Sequence, residues 1–332
     1  MILEFKANFT FLARWANLAK VVMDKGKVVM DKAKGGDGQG TGGNYFTKQI
    51  PPFMIEVFNK NKSPLMNLSS VSAKTKIRHK NDINTTLSRM PLASRRVLFM
   101  AIAQVNPKKL MEKGQVFRIY ATEYAKIANI DTDTAYAQLS AAAKDLQKQV
   151  IGIPKDQLLP LFRRAGEPLL EKPTGTGIRM LNVTEWCDYE EGNGYIDISF
   201  TRQMEPYICR IERDFTTQVL LSTARLRDTN ASNFYQLIRR KIGEKRGRYF
   251  DIGVDELKDE LELFTLKNRE KIYSYPLFKD FNKFVIKKSL DTINDTTEIK
   301  DLQVQIIERR QRKATRLRFT FRVDDQMTFD GF

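Results

Sequence analysis

From about residue 74 onward, the apolar positions of this chain run through one pattern twice. In the first pass Leu87, Val97, Leu98, Ala101, Ile102 and Val105 recur at helical spacing, which predicts an amphipathic helix. Val116, Phe117 and Ile119 predict a short strand over 115–120, followed by a short helix over 122–128 and a turn at 129–131. A longer helix begins near Thr132, with Asp131 or Thr132 as its N-cap and Ala135, Leu139, Ala142, Ala143 and Leu146 on one stripe. Two strands, 178–186 and 195–200, flank the turn sequence EEGNG.

The second pass keeps the order. Phe234, Leu237 and Ile238 mark a helix over 234–242, with a strand at 248–252 and a short helix at 254–263. A loop containing Pro276 leads to a helix over 278–293, whose expected buried stripe is Phe281, Phe284, Val285, Leu290 and Ile293. Strands at 298–308 and 315–323 surround the turn sequence RRQRKA. Helix, strand, helix, helix and hairpin is the order of a winged helix. The expected fold is therefore α+β: two tandem winged-helix domains, 74–205 and 206–332, forming a pseudo-two-fold internal repeat.

Residues 1–73 read differently. A tandem heptapeptide, KVVMDKG (20–26) and KVVMDKA (27–33), runs into GGDGQGTGG (35–43), which predicts a flexible extension. Two repeats are too few to build a solenoid. The glycines are not followed by the Lys-Ser/Thr of a phosphate-binding loop.

Charge narrows the function. The 332 residues are 42% apolar and 29% charged, a globular composition, with 56 Lys and Arg against 40 Asp and Glu and a formal net charge of +16. Such a balance favours a polyanion but does not separate DNA, RNA and anionic membrane. No run of apolar residues is long enough for a membrane span, and no membrane partner is expected. Cys187 and Cys209 lie outside metal-binding spacing and read as reduced thiols in a cytoplasmic protein, so no metal or other cofactor is expected. His79 is the single histidine, which removes histidine-dependent nickase and triad chemistry. The chain reads as a binder, not an enzyme.

Where the cations fall points to duplex DNA. Arg309, Arg310, Arg312, Lys313, Arg316 and Arg318 cluster at the tip and second strand of the last hairpin, where guanidinium groups can reach phosphates or a narrow minor groove. A solvated turn is the plainer reading of the same run. Lys279, Asn282, Lys283, Lys287 and Lys288 decorate the preceding helix, whose first residues would meet base edges, Lys283 suiting guanine and Asn282 adenine. In the first domain the corresponding helix offers Thr134, Tyr136 and Gln138, behind acids that serve as helix caps. Lys76, Arg78 and Lys80 form either a basic arm tracking phosphates or a disordered leader.

The segment KTKIRHKNDINTTLSRMPLASRRVLFMAIAQV (74–105) resembles the opening of the replication initiators of iteron-controlled plasmids, the Rep family that includes RepE and the pi proteins. The likeness, strongest to pi, continues in order through YIDISFTRQMEPYI (195–208), FTTQVLL (215–221), FYQLIRRKI (234–242) and VDELKDEL (254–261), covering about 74–325. That resemblance implies two winged helices, and monomers that bind direct repeats (iterons) at an origin. It also implies help in opening the duplex, recruitment of a host initiator and replicative helicase, and dimers that repress their own promoter at an inverted repeat. By position it implies that the helix bearing Lys279, Asn282, Lys283 and Lys287 is the principal reader, with 132–146 its first-domain counterpart. The segment before about Met66 has no counterpart, and Asn282 and Lys283 stand where the family has an arginine-rich helix start. A plasmid repressor without an initiator role is the alternative.

Overall fold

Two short strands meet where the heptapeptide repeats itself. In the computed structural model, β1 (Val21–Asp24) pairs antiparallel with β2 (Lys27–Met30), one strand from each copy. The structure describes residues 21–24, 27–30, 71–164, 166, 174–190, 192–245 and 247–329. Most of the extension expected over 1–73 lies outside them. The chain divides into two units, 1–62 and 63–332, and the remaining elements all lie in the second.

That unit opens with β3 (Lys76–Lys80), α1 (Asn84–Arg89) and α2 (Leu92–Ala103). The single helix expected from Leu87 is split at Met90 and Pro91, because proline lacks the donor that an interior helical position needs and disfavours helical geometry in the residue before it. β4 (Val116–Tyr120) and α3 (Ala121–Ala128) follow. Asn129, in the left-handed conformation at φ 53°, ends α3. α4 (Thr132–Leu146) begins where Asp131 accepts the Thr134 amide at 2.7 Å, as its cap position predicts, and its apolar stripe is buried.

Next come β5 (Val150–Pro154), β6 (Ile178–Asn182), β7 (Thr184–Tyr189) and β8 (Tyr195–Phe200). The strand expected over 178–186 is two strands: β6 pairs with β5, and β7 with β8. The change of sheet falls at Val183, whose amide bonds to Gln149 and whose carbonyl accepts from Thr201. α5 (Glu205–Ile208), β9 (Phe215–Val219) and α6 (Leu220–Arg225) complete the half, β9 pairing with β3.

The second half contains α7 (Thr229–Lys245), β10 (Tyr249–Gly253) and α8 (Val254–Glu260). A hairpin that the sequence reading took for loop follows, β11 (Phe264–Lys267) with β12 (Glu270–Tyr273). The long helix consists of α9 (Phe278–Phe281), a π-helical segment (Asn282–Lys287) and α10 (Lys288–Thr296), before β13 (Ile299–Arg310) and β14 (Lys313–Val323). The two three-stranded sheets have the orders β4-β8-β7 and β10-β14-β13. In each, the first short strand pairs with the far arm of the hairpin, so the internal repeat extends to topology.

Two buried clusters match the two halves. The first runs from Ile77 to Ala224, and the second from Leu226 to Phe321. The first core thus extends past residue 205, where the sequence reading divided the chain, because β9 closes against β3 and α6 packs beneath it. Phe329 near the C-terminus returns to the first core, with the Arg225 guanidinium 5.3 Å from its ring.

Helix α2 is buried on nearly all sides, as a helix at the centre of a large domain must be. On it, Arg95 is 2% exposed and joins the halves. Its Nη1 donates to Ser232 Oγ at 3.0 Å and Asn233 Oδ1 at 2.7 Å, both on α7. Its Nη2 donates to the carbonyls of Ser88 and Met90 at 3.1 and 3.2 Å. Burial and the adjacent Arg96 charge lower its pKa to about 10, which still leaves it charged near neutrality. Arg96 reaches the Leu226 carbonyl at 2.8 Å, and Gln236 bonds back to Asn84.

Arg95→Ala should therefore destabilise the protein by about 3–5 kcal/mol in urea denaturation, since it opens a cavity and takes the donor from Ser232, Asn233 and the Met90 carbonyl, while the Ser88 carbonyl keeps the Asn233 amide. Arg95→Lys should recover less than half of this, lacking the planar fork. A loss below about 1 kcal/mol for the alanine variant would show that the clamp is not structural.

Candidate nucleic-acid interface

The helix over 278–296 presents Lys279, Lys283, Lys287 and Lys288 to solvent, with Asn282 half-buried. Lys288 approaches Asp228 at 3.8 Å, and among the described residues no ion pair engages Lys279, Lys283 or Lys287. Phe281, Val285, Leu290 and Ile293 are buried as expected. Phe284 is not: half its surface is exposed and Ile286 is buried in its place. The π turn is the reason. Bonding i to i+5 adds a residue to the turn, so the apolar contact passes from Phe281 to Ile286, and Phe284 rotates outward.

The wing is tighter than expected. Arg310 pairs directly with Lys313, leaving Gln311 and Arg312 as a two-residue turn with φ of 47° and 67°. Both positive values match the turn type whose twist fits a hairpin. Arg309, Arg312, Lys313 and Arg316 are exposed, and Arg310 makes a solvated pair with Glu308 at 2.9 Å. Arg318 differs: Asp251 on β10 holds it in two hydrogen bonds of 2.7 and 2.8 Å, and its guanidinium lies 4.7 Å from the Tyr249 ring. It braces the wing.

In the first half the expected readers are largely committed to the protein itself. The Thr134 hydroxyl donates to Asp131 at 2.6 Å as part of the helix cap. Tyr136, at the margin of exposure, lies against the turn before β8, where a Cβ on Gly194 would come within 2.9 Å of its hydroxyl. Gln138 Oε1 accepts from the Tyr124 hydroxyl at 2.6 Å and from Arg96 at 3.2 Å.

The segment expected as a basic arm or disordered leader is neither. It is strand β3, because Ile77 and His79 alternate into the core while Lys76, Arg78 and Lys80 take the other face. Arg78 lies 4.4 Å from the Phe215 ring centroid, and Lys80 Nζ donates to the Arg213 carbonyl at 2.7 Å. Lys76 remains exposed. Sequence reading also missed the tip of the β11–β12 hairpin, where Lys267, Asn268 and Arg269 are exposed and the latter two have positive φ. The available signal was the alternation of Phe264 and Leu266 before Asn268, a residue that tolerates left-handed backbone.

Among the described residues no helix is long and apolar enough to cross a membrane, and no cluster of three or more His, Cys, Asp or Glu could hold a metal ion. What the site offers is exposed cation and amide groups on a helix and an adjoining hairpin. The family model described as initiator replication protein, WH1, matches residues 76–239, and that described as initiator Rep protein, WH2, matches 254–321. The chain belongs to this replication initiator family. It is 37% identical over 263 residues to the PI protein of Escherichia coli, covering 78% of this chain and 86% of that one. A crystal structure of Pi initiator protein in complex with iteron DNA superposes with a TM-score of 0.68 at 37% identity, covering 77% of this chain and all of the other. Both winged helices of the chain thus have a family counterpart, and the two models leave residues 240–253, the end of α7 and all of β10, between them.

The buried strand carries a pH prediction. His79 stacks beside Phe99, accepts from Gln218 at Nε2 and donates from Nδ1 to the Lys80 carbonyl, an arrangement for the neutral ring. Burial lowers its pKa to about 4 from an ordinary 6.5. The unfolded chain therefore binds this proton first, and the histidine's contribution to stability, full above pH 6.5, is lost as pH falls toward 4. Between pH 7.5 and 5 this group should remove about 2 kcal/mol. Urea denaturation of His79→Gln should show a pH dependence shallower by that amount; identical slopes for both proteins would refute the assignment.

Proposed function

We propose that the chain is a cytoplasmic plasmid replication initiator that binds direct repeats at its origin as a monomer, with both winged helices on one face of the duplex. The observation that carries this reading is the run of unpaired lysines on the 278–296 helix beside the exposed arginines of the β13–β14 wing. Similarity to a protein crystallised on iteron DNA supports it. In this reading the 278–296 helix enters the major groove, with Lys279, Asn282, Lys283 and Lys287 toward base edges. Arg309, Arg310, Arg312, Lys313 and Arg316 hold the flanking backbone.

The two domains then have unequal roles. The second supplies most of the affinity and sequence reading. The first, with Thr134, Tyr136 and Gln138 engaged internally, adds DNA contact and dimerisation, and Lys76, Arg78 and Lys80 make at most a phosphate-contacting face of β3. Bound monomers promote opening of the origin and recruit the host initiator and replicative helicase. Dimers bind an inverted repeat at the operator and repress the gene.

Footprinting of the DNA around the gene with purified protein should show protected direct repeats of about two helical turns. Lys283→Ala should cost about 1–3 kcal/mol on that site and relax the base preference, whereas Arg312→Ala should weaken selected and random duplexes alike and lower the salt slope by about one. Equal losses on both kinds of DNA for Lys283→Ala would overturn the division of roles. Absence of any protected repeat would overturn the initiator reading.

A further inference from the structure

Singly exposed apolar side chains are ordinary on protein surfaces. Phe284 differs in where it stands and in how it came to be exposed. It is half exposed, while Phe281, Val285 and Ile286 around it are at most 1% exposed. A π-helical segment spanning Asn282–Lys287 turns it outward, and such segments cluster at functional sites because regular helix is the more stable alternative. A cation lies beside the ring, the Lys283 ammonium 4.9 Å from its centroid, and Lys279, Lys287 and Lys288 are exposed on the same helix. Leu277, 65% exposed, precedes that helix and adds a second apolar side chain near its start.

We propose that Phe284 is a specificity-determining residue whose ring packs on the C5-methyl group of a thymine in the major groove of bound duplex DNA. An apolar ring beside a lysine, on a helix that exposes three more, suits a ligand that is anionic at its margin and apolar within. The major groove has that character. Phosphates line its rim, and thymine presents the methyl group among polar base edges. Lys283 is suited to the phosphate or guanine beside that base, the ring to the methyl. Phe284 thus reads a base that lysine and asparagine cannot distinguish by hydrogen bonding alone. The inference rests on the 278–296 helix being the DNA reader.

The test uses the full chain and a duplex selected by it from a random library. Each thymine of the selected site is replaced in turn by deoxyuridine, which removes only the methyl group, and affinity is measured for the unmodified protein, Phe284→Ala and Phe284→Leu. At one thymine the unmodified protein should lose affinity about fourfold, the worth of one buried methyl. Phe284→Ala should bind thymine and deoxyuridine equally there, and Phe284→Leu should keep part of the difference. Retention of the methyl effect in Phe284→Ala, or its absence in the unmodified protein, would overturn the proposal while leaving DNA recognition intact. Failure of the unmodified protein to select any duplex would overturn the DNA-reading function itself.

Discussion

Arg95 is the side chain on which the two-domain arrangement depends. Two winged helices joined by a chain alone would present their readers at variable spacing, and binding would bear the entropy of bringing them into register. A guanidinium buried in α2 removes that freedom by donating at once to carbonyls beside α1 and to side chains of α7. Among the described residues no carboxylate accepts from it, and the groups that do are neutral dipoles. Such a group is costly to remove, because four acceptors each lose a hydrogen bond together when it leaves. Glu298 works the same boundary from the other side, accepting from Ser222, Tyr235 and Arg239. The joint between domains is polar and directional, which fixes an orientation where apolar packing would permit sliding.

That rigidity gives meaning to the inequality between the halves. Both have the same sheet order and the same short-helix, long-helix pair. In the first, however, Asp131, Tyr124 and Arg96 draw Thr134 and Gln138 into internal hydrogen bonds. In the second, lysines of the long helix face water. The two halves share a topology while the chemistry of their long helices differs.

Much of this was legible in the residues, and the failures have specific causes. Asp131 marked its helix start, the stripe from Ala135 to Leu146 marked its buried face, and the alternation in 315–323 marked the wing. The 74–81 segment was misread because four cations in eight residues suggested solvent, although Ile77 and His79 alternate and β9, its partner strand, lies far along the chain. Pairing of β5 with β6 is hidden for the same reason, since strand partners distant in sequence leave no local periodicity. Phe284 was placed inside because a regular 3.6-residue period was assumed, and nothing in NKFVIK announces an i to i+5 turn. Which of the expected site residues are exposed and which are held by the protein itself required their hydrogen-bond partners.

The wing tip carries residues other than those its turn locally prefers. A two-residue hairpin turn with both φ positive is most easily made by Asn-Gly, yet Gln311 and Arg312 occupy it. Left-handed backbone costs a non-glycine residue on the order of 1 kcal/mol or more, and the choice of Arg312 adds charge repulsion from Arg309, Arg310 and Lys313. Glu308 offsets a part of that repulsion and leaves the tip cationic. The twelve- and eleven-residue strands behind it, braced by Arg318 on Asp251, absorb the cost. In the proposed DNA complex a polyanion would relieve what remains, so the interaction that destabilises the free wing would become part of the driving force for binding. A residue that breaks its own local rule while its scaffold is reinforced is the mark of a surface built for a ligand.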